Sequence, residues 1–277
     1  MRLEHDGFYK HDYLTRLALV LGQITETKSA RKVIAHNYDS KLANIIENYL
    51  TNYQLPEGIA TNLVVNGIEY MVPMVTEEPS VIAACSNGSK LLSSDDGILA
   101  TVISNLVDGQ IILKSSQFEL VEKYIAKHAT EIIKVANQSH PSIKKYSQGV
   151  VSVNTRRLDS QYLSLDVVVD AGEAMGANIV NSMLEAIKGY LETNLSQTET
   201  LMAILTNNAQ HALVKVRGQV PVSKLATSEV DGRVVAQRIS EASYIAEIDP
   251  IRATTHNKGI MNGVDAVAIA LGMIGEH

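Results

Sequence analysis

The chain has 277 residues, 45% of them hydrophobic and 19% charged, with a formal net charge of -6. Such a chain can bury a core, so disorder is excluded, and scattered basic residues under a negative balance leave no footprint for nucleic acid. Cys85 is the single cysteine, no Cys/His spacing suits zinc, and there is neither an apolar leader nor an uncharged run of about 18 residues, so the expectation is a cytoplasmic protein without disulfide, metal or membrane.

From Ser40 to Tyr53 the residues Leu42, Ile45, Ile46 and Tyr49 fall at helical spacing, and Leu55-Pro56-Glu57-Gly58 ends the helix they predict. Alternation over 60–65 and 68–72 around Asn66-Gly67 predicts a β-hairpin, because that pair accepts the positive φ angles of a two-residue turn. Glu78-Pro79-Ser80 is expected to open a helix to about Leu92, with Pro79 in the first turn. The middle third reads as strand 110–114, helix 118–137, strands 149–154 and 162–170, helix 174–192 and strand 201–206. That βαββαβ order is ferredoxin-like, so the predicted class is α+β, with a large α/β domain over 1–104 and 207–277 and a small ferredoxin-like domain inserted at 105–206. A strand over 212–220, a helix over 229–248 and an irregular loop over 249–263 follow. No Gly-x-Gly-x-x-Gly follows a strand, which argues against a Rossmann domain.

The segment Asp249 to Gly263 is the densest in chemistry, holding Lys258, Arg252, His256, Asn257 and Asn262 among glycines with no amphipathic period. Most lysines keep their heads in water, yet one flanked by Asn257 and Gly259 suits stabilisation of negative charge developing on a substrate oxygen. Glu77-Glu78 ahead of Pro79 has a bland explanation, since acids favour the positive end of a helix dipole; a carboxyl beside a lysine and partly desolvated can instead deliver a proton. Glu173-Ala174-Met175-Gly176-Ala177-Asn178 is a glycine-containing helix start whose free N–H groups suit an anion, and ordinary capping explains it equally well. Cys85 reads as a core residue and His256 as a loop histidine bonded to backbone.

Thr76-Glu77-Glu78-Pro79-Ser80-Val81 and the 249–263 segment together resemble the signatures of bacterial, class II 3-hydroxy-3-methylglutaryl-coenzyme A reductases, and the resemblance runs from about Phe8 to Gly272. It implies a homodimer that reduces hydroxymethylglutaryl-CoA to mevalonate and coenzyme A, or runs the reverse, with NADPH or NADH as cofactor. In the residues that match, it makes Glu78 the catalytic carboxyl and Lys258 the catalytic cation, gives Ser80 the substrate carboxylate, and gives Arg252, Asn262 and Asn207 substrate contacts. It likewise makes Glu173, Met175, Gly176 and Asn178 the dinucleotide motif, so that the ferredoxin-like insert becomes the NAD(P)-binding domain.

Several positions depart from the pattern. Thr51 stands where the family has glycine, Ser147-Gln148-Gly149 replaces a triple glycine, Ser152 takes the place of the ribose-binding acid, Glu173 that of an Asp and Thr206 that of a Ser. After Gly272 the family continues Asn-Asp-Trp-Arg-Ala, whereas this chain reads Met273-Ile274-Gly275-Glu276-His277. Suitable codons for that pentapeptide, read one base late, encode this tail, so the expectation is an amino-terminal portion cut short by a frameshift, its large domain incomplete. The contrasting reading of these departures is a non-catalytic protein that keeps thioester or cofactor contacts or pairs subunits.

Overall fold

A computed structural model describes residues 7–25, 27–94, 96–174 and 176–272; Met175 and the tail 273–277, on which two of the expectations above fall, lie outside them. Helix α1 (Tyr13–Leu21) starts where the Asp12 carboxylate accepts the Thr15 N–H at 2.7 Å, and α2 (Thr27–His36) follows. The helix expected over 40–53 is not formed: a 3-10 turn at Leu42–Asn44 is all that is helical there, and Asn48 adopts a left-handed φ of 56°. Its apolar spacing misled because Tyr49 is a buried anchor in irregular chain, its hydroxyl accepting the Asp39 N–H and donating to Asn52 Oδ1.

Strands β1 (Glu57–Val65) and β2 (Ile68–Val75) form the antiparallel hairpin, with both turn residues at positive φ, Asn66 at 51° and Gly67 at 77°. Helix α3 (Val81–Leu92) packs on β1 and begins one residue after Ser80, so Pro79 stands before the cap and not within the first turn. Strand β3 (Leu99–Asn105) was not expected from sequence; it pairs antiparallel with β8 (Ala212–Arg217), more than a hundred residues away, and the ribbon they make has apolar side chains exposed on it.

Between the two ribbon strands run β4 (Val107–Lys114), α4 (Phe118–Ser139), β5 (Gly149–Arg157), β6 (Tyr162–Asp170), α5 (Ala177–Asn194) and β7 (Glu199–Leu205). They make one antiparallel sheet in the order β5-β6-β4-β7. One face of that sheet, through Ile111, Leu113, Leu163, Leu165, Val167 and Val169, meets the apolar stripes of α4 and α5 in the largest core of the molecule. Helix α5 starts three residues later than the sequence predicts, because Gly172 and Gly176 both take positive φ, which a helix does not accommodate.

Beyond the ribbon, α6 (Gly232–Ile248) opens on Asp231, whose carboxylate accepts the Arg233 N–H. The 249–263 segment is no loop: α7 (Pro250–Ala270) is a continuous helix, capped by Asp249 and with proline in its first turn, where a missing N–H costs nothing. It lacks an apolar period because its packing is local. Ala266 and Val267 near its end join Ala60, Met74 and Val81 in a small second core, while most of its other residues are exposed or half-buried. Gly263 sits inside this helix with open space around its Cα, so Gly263→Ala is expected to raise stability by about 0.5–1 kcal/mol, read as a higher urea midpoint at unchanged slope. Among the described residues no helix is long and apolar enough to cross a membrane, and no three His, Cys, Asp or Glu side chains gather as a metal set.

Candidate active site

Two side chains of one helix meet on a carboxylate oxygen that is far from them in sequence. Glu78 Oε2 accepts a hydrogen bond from Lys258 Nζ at 3.0 Å and another from Asn262 Nδ2 at 3.2 Å. Glu78 comes from the link between β2 and α3, where its own N–H donates to Thr76 Oγ1. Lys258 and Asn262 are four apart on α7, the spacing that puts two side chains on one helix face. Contacts of α7 with β2 and α3 bring that face over the link. The desolvation expected of Glu78 is not present: its side chain is 44% exposed and that of Lys258 is 65% exposed. Such a pair adds little to folding stability, and its open oxygen-and-nitrogen face is reachable by ligand.

Ser80 is the N-cap residue of α3 and is exposed, its hydroxyl making no capping bond. Arg252 is exposed in the first turn of α7, six residues ahead of Lys258 and therefore roughly 9 Å along the axis and on another side of the helix. Among the described residues no hydrogen bond joins Ser80, Arg252 or Asn207 to the Glu78 cluster. His256 is exposed on α7 and is not in a loop.

A second locus lies in the sheet unit. Gly176, at φ 94°, caps α5, and among the described residues no side chain accepts from the first N–H groups of this helix of 18 residues. A Cβ at Gly176 would come within 2.9 Å of Ala171 Cβ and 3.2 Å of Val107 Cγ2, so nothing larger fits beside the helix start. Glu173 and Asn178 flank it, both exposed. Asp170 holds the adjoining loops together: one carboxylate oxygen accepts the Gly172 N–H at 2.9 Å and the other the Gln148 N–H at 3.0 Å. The bond to Gly172, two residues on, is a local turn contact, whereas the bond to Gln148 spans 22 residues and has no local signal. A cavity of about 310 Å³ opens beside this locus, walled by Leu106, Val107, Ala177 and Leu205 and edged by Asp108 and Asn207. Asn207 itself is exposed in the turn after β7.

Two of the sequence departures now have partners. Thr51 donates its hydroxyl to the Ile34 carbonyl at 3.0 Å, tying the 50–56 segment to α2. Ser147 donates to the Asp170 carbonyl at 2.9 Å, in the same stapled loop. On the sheet face away from the helices Asp166 is a carboxylate under opposed influences: burial raises its pKa, but hydrogen bonds from Arg156, Ser164 and Gln110 hold it below the ordinary range.

Fold and site together define an α+β protein in which a four-stranded βαββαβ unit, with an uncapped helix start, is flanked in sequence by a paired ribbon and followed by a helix carrying a carboxylate-bound lysine and asparagine. The profile of the hydroxymethylglutaryl-coenzyme A reductase family matches residues 13–273, and the chain belongs to that family. It is 32% identical over 274 residues to 3-hydroxy-3-methylglutaryl-coenzyme A reductase of Archaeoglobus fulgidus, covering 96% of this chain and 61% of that one. A probable reductase of Borreliella burgdorferi is 31% identical over 234 residues, covering 83% of this chain and 52% of the relative. The chain thus spans between about half and two thirds of the length of these curated relatives. Among solved structures, the class II reductase of Streptococcus pneumoniae bound to NADPH in open conformations superposes with a TM-score of 0.78 at 37% identity, over 97% of this chain and 74% of that one.

Proposed function

We propose that this chain provides the site of an NAD(P)H-dependent hydroxymethylglutaryl-CoA reductase, and that Glu78, Lys258 and Asn262 are its reacting centre. The observation that carries the reading is the convergence of Lys258 and Asn262 on Glu78 Oε2, across 180 residues of sequence. Two molecules of reduced nicotinamide, bound in turn, would each supply one hydride: the first transfer would lead to loss of coenzyme A as a thiolate that takes a proton from solvent, and the second would reduce the mevaldehyde so formed. Lys258 Nζ stabilises the negative charge that each transfer leaves on the carbonyl oxygen. Asn262 Nδ2 orients the acceptor. Glu78 holds Lys258 in place before substrate arrives; once Lys258 turns to the substrate oxygen, the freed carboxylate takes up a proton from solvent and passes it to that oxygen after hydride transfer. Ser80 and Arg252 bind the carboxylate end of the substrate, both being exposed on elements that border the cluster.

The residues at the start of α5 fit the phosphates of a dinucleotide. Among the described residues no side chain caps the helix N-terminus, which leaves backbone N–H groups for an anion, and the close packing of Gly176 against Ala171 and Val107 fixes where they point. Residues 105–206 serve in this reading as the cofactor unit, with 1–104 and 207–277 as the substrate body, and Glu173, Met175, Gly176 and Asn178 as the dinucleotide motif that the family resemblance gives. A homodimer accords with the apolar side chains that α6 and α7 leave exposed, among them Ile239, Tyr244, Ile248, Ile251, Ile260 and Val264.

The test is direct. Purified chain mixed with hydroxymethylglutaryl-CoA and NADPH, or NADH, is expected to consume the reduced nicotinamide and release free thiol. Saturable binding of both ligands with no consumption supports the non-catalytic reading, and no binding of either ligand overturns both.

A further inference from the structure

Asp108 and His211 form a contact that the proposed reaction does not use. Asp108 lies on β4 next to Gly109, which faces Leu184 of α5, so the Asp108 side chain points to the opposite side of the sheet. Its side chain is only 8% exposed, and its Oδ1 lies 2.6 Å from Nδ1 of His211, which is 41% exposed. The other carboxylate oxygen, Oδ2, is buried with no partner among the described residues. His211 is therefore the one side-chain donor that this buried carboxylate has among them.

The backbone around the pair closes a turn. At its entry the Thr206 N–H donates to the Asp108 carbonyl at 2.9 Å. At its exit the His211 carbonyl accepts the Leu106 N–H at 3.1 Å and the Ser104 hydroxyl at 2.6 Å. Across its mouth runs the Asp108–His211 contact. Between these ties sit Asn207, Asn208, Ala209 and Gln210, all exposed. An exposed turn of polar residues loses conformational freedom only where something holds its ends; here Asp108 of β4 holds the entry, and Ser104 and Leu106, just ahead of β4, hold the exit.

We propose that Asp108 and His211 are positioning residues: their contact fixes the 206–211 turn against β4, so that ligand meets Asn207 already in place. The ligand part of this inference rests on the reductase reading above together with the family resemblance, which gives Asn207 a substrate contact. The clasp itself rests on geometry alone.

The test uses a graded series on the whole chain, read by amide hydrogen exchange at Thr206 and Leu106 and by calorimetric affinity for hydroxymethylglutaryl-CoA. His211→Leu removes the donor. His211→Asn restores one, since its amide nitrogen falls close to the place of Nδ1. Asp108→Ala removes the acceptor without stranding a buried charge, so it reports the same loosening should His211→Leu fail to fold. His211→Leu or Asp108→Ala is expected to speed exchange and weaken affinity about tenfold or more, the scale of a lost hydrogen bond to a charged group, while His211→Asn stays within about threefold of the parent. Exchange in the parent chain as fast as in both donor- and acceptor-less variants overturns the clasp. So does His211→Asn failing as badly as His211→Leu, which would assign the effect to ring volume. Loosened exchange with unchanged affinity overturns the positioning role. Parent chain that binds no hydroxymethylglutaryl-CoA while the exchange series behaves as expected leaves the clasp standing and sinks the functional reading instead.

Discussion

Lys258→Met is expected to slow the consumption of reduced nicotinamide with hydroxymethylglutaryl-CoA by roughly 10²–10³-fold, the cost of removing a preorganised stabiliser of oxyanion charge. The methionine stem preserves the bulk of the lysine and removes its charge and its bond to Glu78. Stability should barely respond, by no more than about 1 kcal/mol, because the Lys258–Glu78 pair is largely in solvent at 65% and 44% exposure. The divergence of the two readouts is the point: a residue that served only as a surface ion-pair partner would leave turnover intact as well. Lys258→Arg should recover the charge but not the rate, since a planar guanidinium cannot present one compact N–H to both Glu78 and a carbonyl oxygen. Turnover of the Met variant within twofold of the parent would remove Lys258 from the chemistry.

Gly176→Ala should weaken NADPH binding by about tenfold or more and destabilise the fold by about 1–3 kcal/mol, the range for a side chain forced into a sparsely populated backbone region. At φ 94° the position is one that residues with a side chain rarely adopt, and the added methyl would sit 2.9 Å from Ala171 Cβ and 3.2 Å from Val107 Cγ2. Relief requires Gly176 to shift away from Ala171 and Val107, and with it the first N–H groups of α5. Phosphate binding depends on where those donors point, so affinity and stability fall together. Chemical denaturation gives the stability change and quenching of NADPH fluorescence the affinity. An alanine variant that matches the parent in both would show that neither the helix start nor the anion site is built as described.

The sheet unit was the most legible part of the fold. Its helices carry stripes at helical spacing, Val121, Ile125, Ile132 and Ala136 on one and Val180, Met183, Leu184, Ile187 and Leu191 on the other, and its central strand β6 is an almost continuous apolar run. Strand β3 was not legible, since its partner β8 is distant in sequence and the ribbon has no single buried face to impose alternation. The 249–263 segment misled for a related reason. A helix that packs mainly through one end shows no period over its length, and its glycines read as loop. Two local signals were nonetheless present, the Asp249-Pro250 start and the four-residue spacing of Lys258 and Asn262.

At the site, Glu78 and Lys258 could be picked out from their surroundings, but their 3.0 Å contact could not, being a consequence of how α7 crosses β2 and α3. The Asp108–His211 clasp left no trace in sequence, since no spacing rule links positions 108 and 211; of the Asp170 staple, the bond to Gly172 two residues on is a local turn signal and the bond to Gln148 is not.

The central claim is that Glu78 and Lys258 act as one unit on the substrate, and a double-mutant cycle on turnover tests it most directly. Rates of nicotinamide consumption with hydroxymethylglutaryl-CoA are compared for the parent, Glu78→Gln, Lys258→Met and the pair. Residues that work as a unit are strongly non-additive, so the double variant should be no slower than the slower single one. Single losses that multiply in the double variant, or either single variant keeping the parental rate, would contradict the account.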